Sequence, residues 1–211
     1  MNSGYFTFAE ETEAFYTEKK SRFISSGSEV LTEDEALCFL QKQRALHKDA
    51  NHHVYAYKLL TNERASDDHE PSGTAGAPIL NILKAEGMMN TIIVVTRYFG
   101  GILLGTGGLT HAYGYSAKLL LKTGKVIQKV RCRNLKLTTD YVFLGKLQYF
   151  IALSDALHTN TSYTERVQLN LIIREESIKG IIDSVNDLTN GRLETSISES
   201  FFHEYPFSHL A

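Results

Sequence analysis

The sequence has 211 residues and a formal net charge of −2 at pH 7, with 43% hydrophobic and 22% charged residues. This composition is ordinary for a globular protein and excludes an intrinsically disordered chain. The first residues are acidic and mixed, unlike a signal peptide, and the apolar runs are too short to span a bilayer. Two cysteines, Cys38 and Cys132, give no disulfide framework, so we expect a cytoplasmic protein without a membrane partner.

Periodic patterns in the first part of the chain predict alternating strands and helices. Thr32 and Glu35 have the spacing of a capping box, and either Ser72 or Thr74 is expected to cap the second helix. Residues 61–74 are predicted to form a polar loop. In chain order we first predict a hairpin of strands over 13–16 and 22–30, then a helix after Thr32 and a strand over 52–60. A second helix follows, with Pro78 in its first turn and its end at Gly87. The last two elements are a strand over 91–98 and a helix over 109–122 that is closed by Gly124.

From about residue 125 the order of elements changes to β-α-β-β-α-β, which is typical of a ferredoxin-like domain. We predict strands over 125–138, 159–163, 166–173 and 193–205, with helices over 141–153 and 177–189. The fold class is therefore α+β. Two domains are expected, 1–130 and 131–211, with no flexible linker between them.

A glycine-rich segment, 94–109, lies between a predicted strand and a predicted helix. So many glycines cost chain entropy, which indicates positive φ angles or close backbone approach. Free N–H groups at a helix start bind anions, and Arg97 could hold a phosphate or a carboxylate. We predict an anion-binding or nucleic-acid-binding set of Arg97, Tyr98, Gly100, Gly101, Gly105, Thr106, Gly107 and Gly108.

Two alternatives limit this interpretation. The glycine order matches neither the dinucleotide-binding motif nor the P-loop. The glycines could also serve only tight turns and close packing, with Arg97 held by an internal carboxylate.

No Asp or Glu occurs between Glu86 and Asp140, whereas that stretch carries eight lysines and arginines. A long acid-free stretch in a slightly acidic protein implies a local positive field that attracts phosphates. The alternative is that these side chains are dispersed over a solvated surface. We add to the candidate binding set Lys118, Lys122, Lys129 and Arg131.

The acidic segment before the second helix is the expected opposite wall of this surface. Its candidate residues are Ser66, Asp67, Asp68, Glu70, Ser72 and Thr74. The three carboxylates could bind Mg²⁺, or could cap the helix and accept the guanidinium of Arg97. Adjacent His52 and His53 point to opposite sides of a strand and have no recognisable metal spacing, so we predict no metal and no cofactor.

The segments SDDHEPSGTAGAPIL and VVTRYFGGILLGTGGLTHAY together resemble the IMPACT/YigZ family, and the resemblance extends over the whole chain. It implies an N-terminal domain similar to domain IV of elongation factor G, a two-layer fold containing a βαβ unit, and a ferredoxin-like C-terminal domain. Two positions depart from the usual bacterial pattern. His69 stands where a glycine is usual, and Ala77 where a lysine is usual.

The resemblance also implies a role in translation, because eukaryotic members act in translational control through a protein partner and bacterial members have been considered RNA or ribosome binders. We therefore expect a non-catalytic, translation-associated regulator that binds RNA or the ribosome through the glycine-rich, basic surface. Two alternatives remain. One is a Mg²⁺-dependent enzyme acting on a phosphorylated small molecule or nucleotide, and the other is a protein-interaction module.

Overall fold

A computed structural model describes residues 4–204 of the chain. These residues form two compact units, and the boundary between the units falls within one long strand. Residues 5–128 form the N-terminal unit, and 129–204, together with Gly4, form the C-terminal unit. The strands are β1 Gly4–Phe8, β2 Thr12–Glu18, β3 Ser21–Glu29, β4 His52–Lys58, β5 Glu63–Ser66, β6 Thr91–Tyr98, β7 Val126–Thr139, β8 Leu157–Tyr163, β9 Val167–Arg174, β10 Leu193–Ile197 and β11 Phe201–Glu204. The helices are α1 Glu33–Leu46, α2 Gly76–Ala85, α3 Gly105–Thr123, α4 Leu144–Leu153 and α5 Ile178–Thr189. The α+β class is confirmed.

An antiparallel sheet with strand order β2-β3-β6-β4-β5 is the centre of the N-terminal unit. Because side chains alternate along a strand, β6 sends Ile93 and Val95 to one face and Ile92 and Val94 to the other. The first face packs against α2 and α3, and the second against α1. The helix α1 thus adds a third layer to the two that were expected.

The C-terminal unit has the ferredoxin-like strand order β10-β7-β9-β8, with each neighbouring pair antiparallel. Alternate residues of β9 face inward, as its strict alternation of buried and half-buried positions shows. Leu135, Leu169 and Val185 belong to the apolar core between this sheet and the helices α4 and α5. The predicted order of elements is therefore confirmed here.

Four local features differ from the sequence prediction. The strand β1 was not predicted, and β5 was placed in a loop because a four-residue polar edge strand has no apolar alternation. The helix α3 begins at Gly105 rather than near 109, since its backbone hydrogen bonds form despite the poor helix propensity of glycine. The last strand is divided into β10 and β11, whose registers on β7 differ by one residue, and the predicted end at Tyr205 lies outside the described residues.

Candidate functional site

The glycine-rich connection from β6 to α3 crosses the tight turn of the β2–β3 hairpin. Gly100 lies against the Lys20 backbone, where a Cβ atom would overlap the carbonyl group, and its N–H donates to Ser21 Oγ at 3.2 Å. Gly101 and Gly105 have φ angles of +82° and +73°, which L side chains rarely adopt. These three glycines therefore have structural reasons to be there.

Gly107 is different, because the fold does not require a glycine at this position. It is the third residue of α3, it is exposed, and a Cβ added to it would meet nothing within 4 Å. The start of α3 also lacks a capping side chain, so its first N–H groups remain available. A glycine at such a position allows another molecule to approach the backbone closely.

Arg97 lies at the end of β6, and its side chain is only 5% exposed. Its NH1 donates to Glu70 Oε1 at 2.5 Å, and its NH2 donates to Ser21 Oγ at 3.3 Å. The Glu70 side chain is 4% exposed, so the two charges form a buried pair. The structure therefore contains the internal carboxylate of our alternative interpretation, and Arg97 is not an exposed phosphate clamp.

Two further side chains surround the Glu70 carboxylate. The hydroxyl of Tyr113, a buried residue of α3, donates to Oε1 at 2.7 Å. Burial, followed by this hydrogen bond, raises the pKa of Tyr113, so the hydroxyl remains a donor. His52 Nε2 lies 3.7 Å from the same oxygen, and its Nδ1 lies 2.8 Å from the Asp68 carbonyl oxygen.

Glu70, Arg97 and His52 are among the residues that line a pocket of about 420 Å³ at the start of α3. Its floor is polar, with Glu70, Arg97 and His52, while its walls are largely apolar. Phe99 and Leu103 on the connecting loop are 45% and 84% exposed. We call this site the α3 pocket, lined by Asn51, His52, Glu70, Pro71, Arg97, Phe99, Leu103, Leu104, Gly105, Thr106 and Leu109.

Asp67 caps the helix α2, and the expectation that Ser72 or Thr74 would do so is wrong. Its carboxylate accepts the N–H groups of Gly73 at 2.8 Å, Ala75 at 3.0 Å and Gly76 at 2.8 Å. An ionised carboxylate is preferred over a hydroxyl here because it also neutralises the positive end of the helix dipole. The Thr74 hydroxyl donates instead to the Pro71 carbonyl oxygen.

Replacing Asp67 with Asn is expected to remove an acid-sensitive part of the stability. Burial raises the pKa of Asp67, but the three backbone hydrogen bonds outweigh it and hold the pKa below its ordinary value of 3.8. A lowered folded-state pKa contributes stability above the unfolded-state pKa, and this is lost as the pH falls through the folded-state value. Urea denaturation measures this from pH 2 to 7, a range of about 5 units that spans ordinary carboxyl pKa values. Below about pH 4, the free energy of unfolding should fall more steeply in the parent protein than in Asp67→Asn. Equal slopes would contradict this role.

Asp68 supports the neighbouring strand rather than a metal ion. Its carboxylate accepts the His53 N–H at 2.6 Å and an Arg44 N–H at 3.0 Å. The acids 67, 68 and 70 thus have separate partners, and no cluster of three metal-ligating side chains occurs within residues 4–204. This geometry contradicts a Mg²⁺ site formed by the three acids. The φ angle of His69 is +70°, a conformation that glycine adopts more readily than histidine.

The basic residues of the predicted surface lie in two places. Lys118 and Lys122 are exposed on α3, whereas Lys129 and Arg131 lie on β7 in the C-terminal unit. Tyr98 is half-buried beside His47, on the face of the sheet opposite the α3 pocket, with its hydroxyl 3.0 Å from His47 Nδ1. Tyr98 is thus placed apart from the other candidate residues of the glycine segment.

Sequence reasoning missed several residues of the α3 pocket. His52 was considered only as a metal ligand, and Asn51 was not considered, although its Oδ1 accepts the Phe99 N–H at 2.8 Å. Phe99 was not among the predicted binding residues although it is exposed, and Tyr113 is fully buried. The run of apolar residues between glycines, 102–104, was the available signal, because apolar residues on a loop are unusual unless they cover or contact something.

The fold and the pocket define a two-domain α+β protein with a ligand-sized pocket at a helix start, and known proteins are similar to this chain over most of its length. The family described as Impact N-terminal domain matches residues 19–121, and a domain of unknown function, DUF1949, matches residues 137–192. The chain is 38% identical to the IMPACT family member YvyE of Bacillus subtilis (strain 168), over 100% of this chain and 98% of the relative. The chain belongs to the IMPACT family.

Other comparisons agree with this membership. The IMPACT family member YigZ of Escherichia coli (strain K12) is 33% identical over 83% of this chain and 89% of its own length. A crystal structure of a hypothetical protein superposes with a TM-score of 0.61 at 30% identity, covering 94% of this chain and 99% of that one. Protein IMPACT-B of Xenopus tropicalis is 33% identical over 40% of this chain and 30% of its own length. Within residues 4–204, no helix is both long and apolar enough to cross a membrane.

Proposed function

We propose that this protein is a non-catalytic, translation-associated regulator that binds RNA, free or in the ribosome, through the α3 pocket and the outer face of α3. The observation that carries this proposal is the uncapped start of α3, where Gly107 is open to close approach and the exposed ring of Phe99 lines the α3 pocket. Backbone N–H groups at a helix start bind phosphate, and aromatic rings stack on unpaired bases. Membership of a family that includes the eukaryotic proteins named IMPACT supports the link to translation.

The charge distribution on the helical layer also favours a polyanion. Neither α2 nor α3 contains an Asp or a Glu. Along α3 the exposed positions follow one another at helical spacing, so they form a stripe that leads away from the pocket. The exposed residues of this stripe are Gly107, Thr110, His111, Tyr115, Lys118 and Lys122. At about 1.5 Å per residue, this helix is long enough to follow several nucleotides.

The Gly107→Ala substitution tests this proposal without weakening the fold. Because the position is helical and open, alanine should increase the free energy of unfolding by about 0.5–1 kcal/mol, while its methyl group hinders phosphate approach. We expect binding of a fluorescein-labelled single-stranded RNA to weaken severalfold. Gly180→Ala is the matched control, because Gly180 is the third residue of α5, is exposed and has nothing within 4 Å of an added Cβ. Fluorescence anisotropy measures the affinity.

The salt dependence completes this experiment. The logarithm of the association constant should fall as the logarithm of the salt concentration rises, with a slope of about 0.7 per single-strand phosphate contact. The double variant Lys118→Gln with Lys122→Gln should reduce that slope. An affinity that is insensitive to salt, or equal in Gly107→Ala and Gly180→Ala, would contradict RNA binding at this site. Cosedimentation of the same variants with ribosomes then separates free RNA from ribosomal RNA as the target.

A further inference from the structure

The polar floor of the α3 pocket presents hydrogen-bond acceptors to whatever enters it. Within residues 4–204, both hydrogen bonds to the Glu70 carboxylate, from Arg97 and Tyr113, fall on Oε1. The second oxygen, Oε2, is left to accept from a ligand. Because this buried carboxylate is ion-paired with Arg97, a hydrogen bond that Oε2 accepts is charge-assisted and strong.

His52 also lies on this floor. Its Nδ1 contacts a backbone carbonyl oxygen, that of Asp68, so this nitrogen must donate the hydrogen bond. The NH1 and NH2 groups of Arg97 donate to Glu70 and Ser21. The free oxygen of Glu70 is therefore the group on the floor that suits a ligand with N–H donors.

The remaining parts of the pocket specify the other ends of that ligand. The walls formed by Phe99, Leu103 and Leu104 fit a flat apolar body, and the ring of Phe99 has an exposed face. At the rim, the N–H groups at Gly105 and Thr106 begin an uncapped helix and favour an anion. A volume of about 420 Å³ is within the usual range for small-molecule sites.

We propose that the α3 pocket binds a single guanine nucleotide unit, with the guanine N1–H and N2 amino group donating to Glu70 and the phosphate at the start of α3. This inference rests on the proposed function, in which the unit belongs to an RNA strand. Guanine presents two adjacent donors on its Watson–Crick edge, and the free Oε2 has two lone pairs with which to accept them. Adenine has a single amino donor beside an acceptor nitrogen, and that acceptor would face the negative charge of Glu70.

Titration calorimetry of the unmodified protein with GMP, IMP and AMP tests the base preference. A bidentate contact discriminates by roughly 5- to 150-fold, so GMP should bind about tenfold or more tightly than AMP. IMP, which lacks the N2 amino group, should lie between them. Equal affinities for the three nucleotides, or tighter binding of AMP, would overturn the inference.

The same series in RNA separates this inference from the proposed function. Strands of about ten adenylates, within the range of about 4–16 nucleotides covered by one binding fold, carry a central guanine, inosine or adenine. Binding of all three with equal affinity would refute guanine recognition and leave RNA binding intact. A GMP preference without any RNA binding would refute the proposed function and support a free nucleotide as ligand.

A substitution at Glu70 identifies the group that reads the base. Glu70→Gln keeps the side-chain shape but replaces a charged acceptor by an amide, so the preference for GMP over AMP should be lost. Glu63→Gln, the same change at an exposed position of β5 outside the pocket lining, is the control that should keep the preference. If Glu70→Gln does not fold, the nucleotide series on the unmodified protein decides the question alone. A folded Glu70→Gln protein that still prefers GMP tenfold would overturn the assignment.

Discussion

The Arg97→Met substitution is expected to lower the free energy of unfolding of the N-terminal unit by about 3–5 kcal/mol, the usual result of removing one partner from a buried ion pair. Methionine leaves the Glu70 carboxylate buried without its cation, and it also removes a donor from Ser21 Oγ. The loss is large because neither charge can recover hydration by a small movement. Both side chains are at least nine-tenths buried.

The measurement should report on the N-terminal unit alone, because the chain has two units that need not unfold together. Hydrogen exchange of the β3 and β6 amides provides this. The matched control is Lys42→Met, which breaks the exposed pair with Glu11 and should cost about 0–1 kcal/mol. A double variant, Arg97→Met with Glu70→Leu, should recover most of the loss, since it removes both charges. If Arg97→Met is as mild as Lys42→Met, the buried pair does not stabilise this fold.

Much of the fold could be predicted from periodicity and punctuation. The capping box is confirmed, since the Glu35 N–H donates to Thr32 Oγ1 at 3.2 Å. The predicted end of α5 at residue 189 is also confirmed, and the two residues that follow, Asn190 and Gly191, both have positive φ. These two signals are local, because a capping box and a helix-ending turn are each determined by residues within about four positions of each other. The elements missed, β1 and β5, are short, and neither has a local pattern that marks it: β1 pairs with the distant strand β7, and β5 is a polar edge strand beside β4.

The α3 pocket was harder to predict because its chemistry depends on a contact between distant residues. Nothing local in the run 91–98 shows that Arg97 turns inward and meets Glu70, which lies 27 positions earlier. The acidic residues have the same difficulty, since Asp67 and Asp68 are adjacent but bind opposite structures, the start of α2 and the strand β4. The sequence indicated that the acidic and glycine-rich segments meet at one edge of the sheet. Which partner each acid binds is determined only by the tertiary structure.

The glycines illustrate the same limit. In the sequence, Gly100 and Gly107 are equivalent members of one glycine-rich segment. In the structure, one lies against another backbone and the other faces open space. Of the two, Gly107 is the glycine that the fold does not need, and it is the one we propose to face the ligand.

The Gly100→Ala substitution is expected to cause the second large loss of stability, about 3 kcal/mol, at the upper end of the usual cost of overpacking. Its Cβ atom would overlap the Lys20 carbonyl group and come within contact of the Ser21 nitrogen. These are backbone atoms of a tight turn in which Lys19 and Lys20 both have positive φ, so they cannot rotate away as a side chain would.

The comparison with Gly107→Ala isolates this effect, because both substitutions add one methyl group to the same segment. Gly100→Ala should accelerate hydrogen exchange in the β2–β3 hairpin, since the Gly100 N–H also binds Ser21 Oγ and separation would break that contact. Gly107→Ala should leave the hairpin unchanged and slow exchange in α3. Where Gly100→Ala remains folded, it should bind RNA more tightly than Gly107→Ala does. A methyl group at position 107 hinders the ligand, whereas one at position 100 displaces the hairpin. If both variants lose stability equally, the division between structural and ligand-facing glycines is wrong.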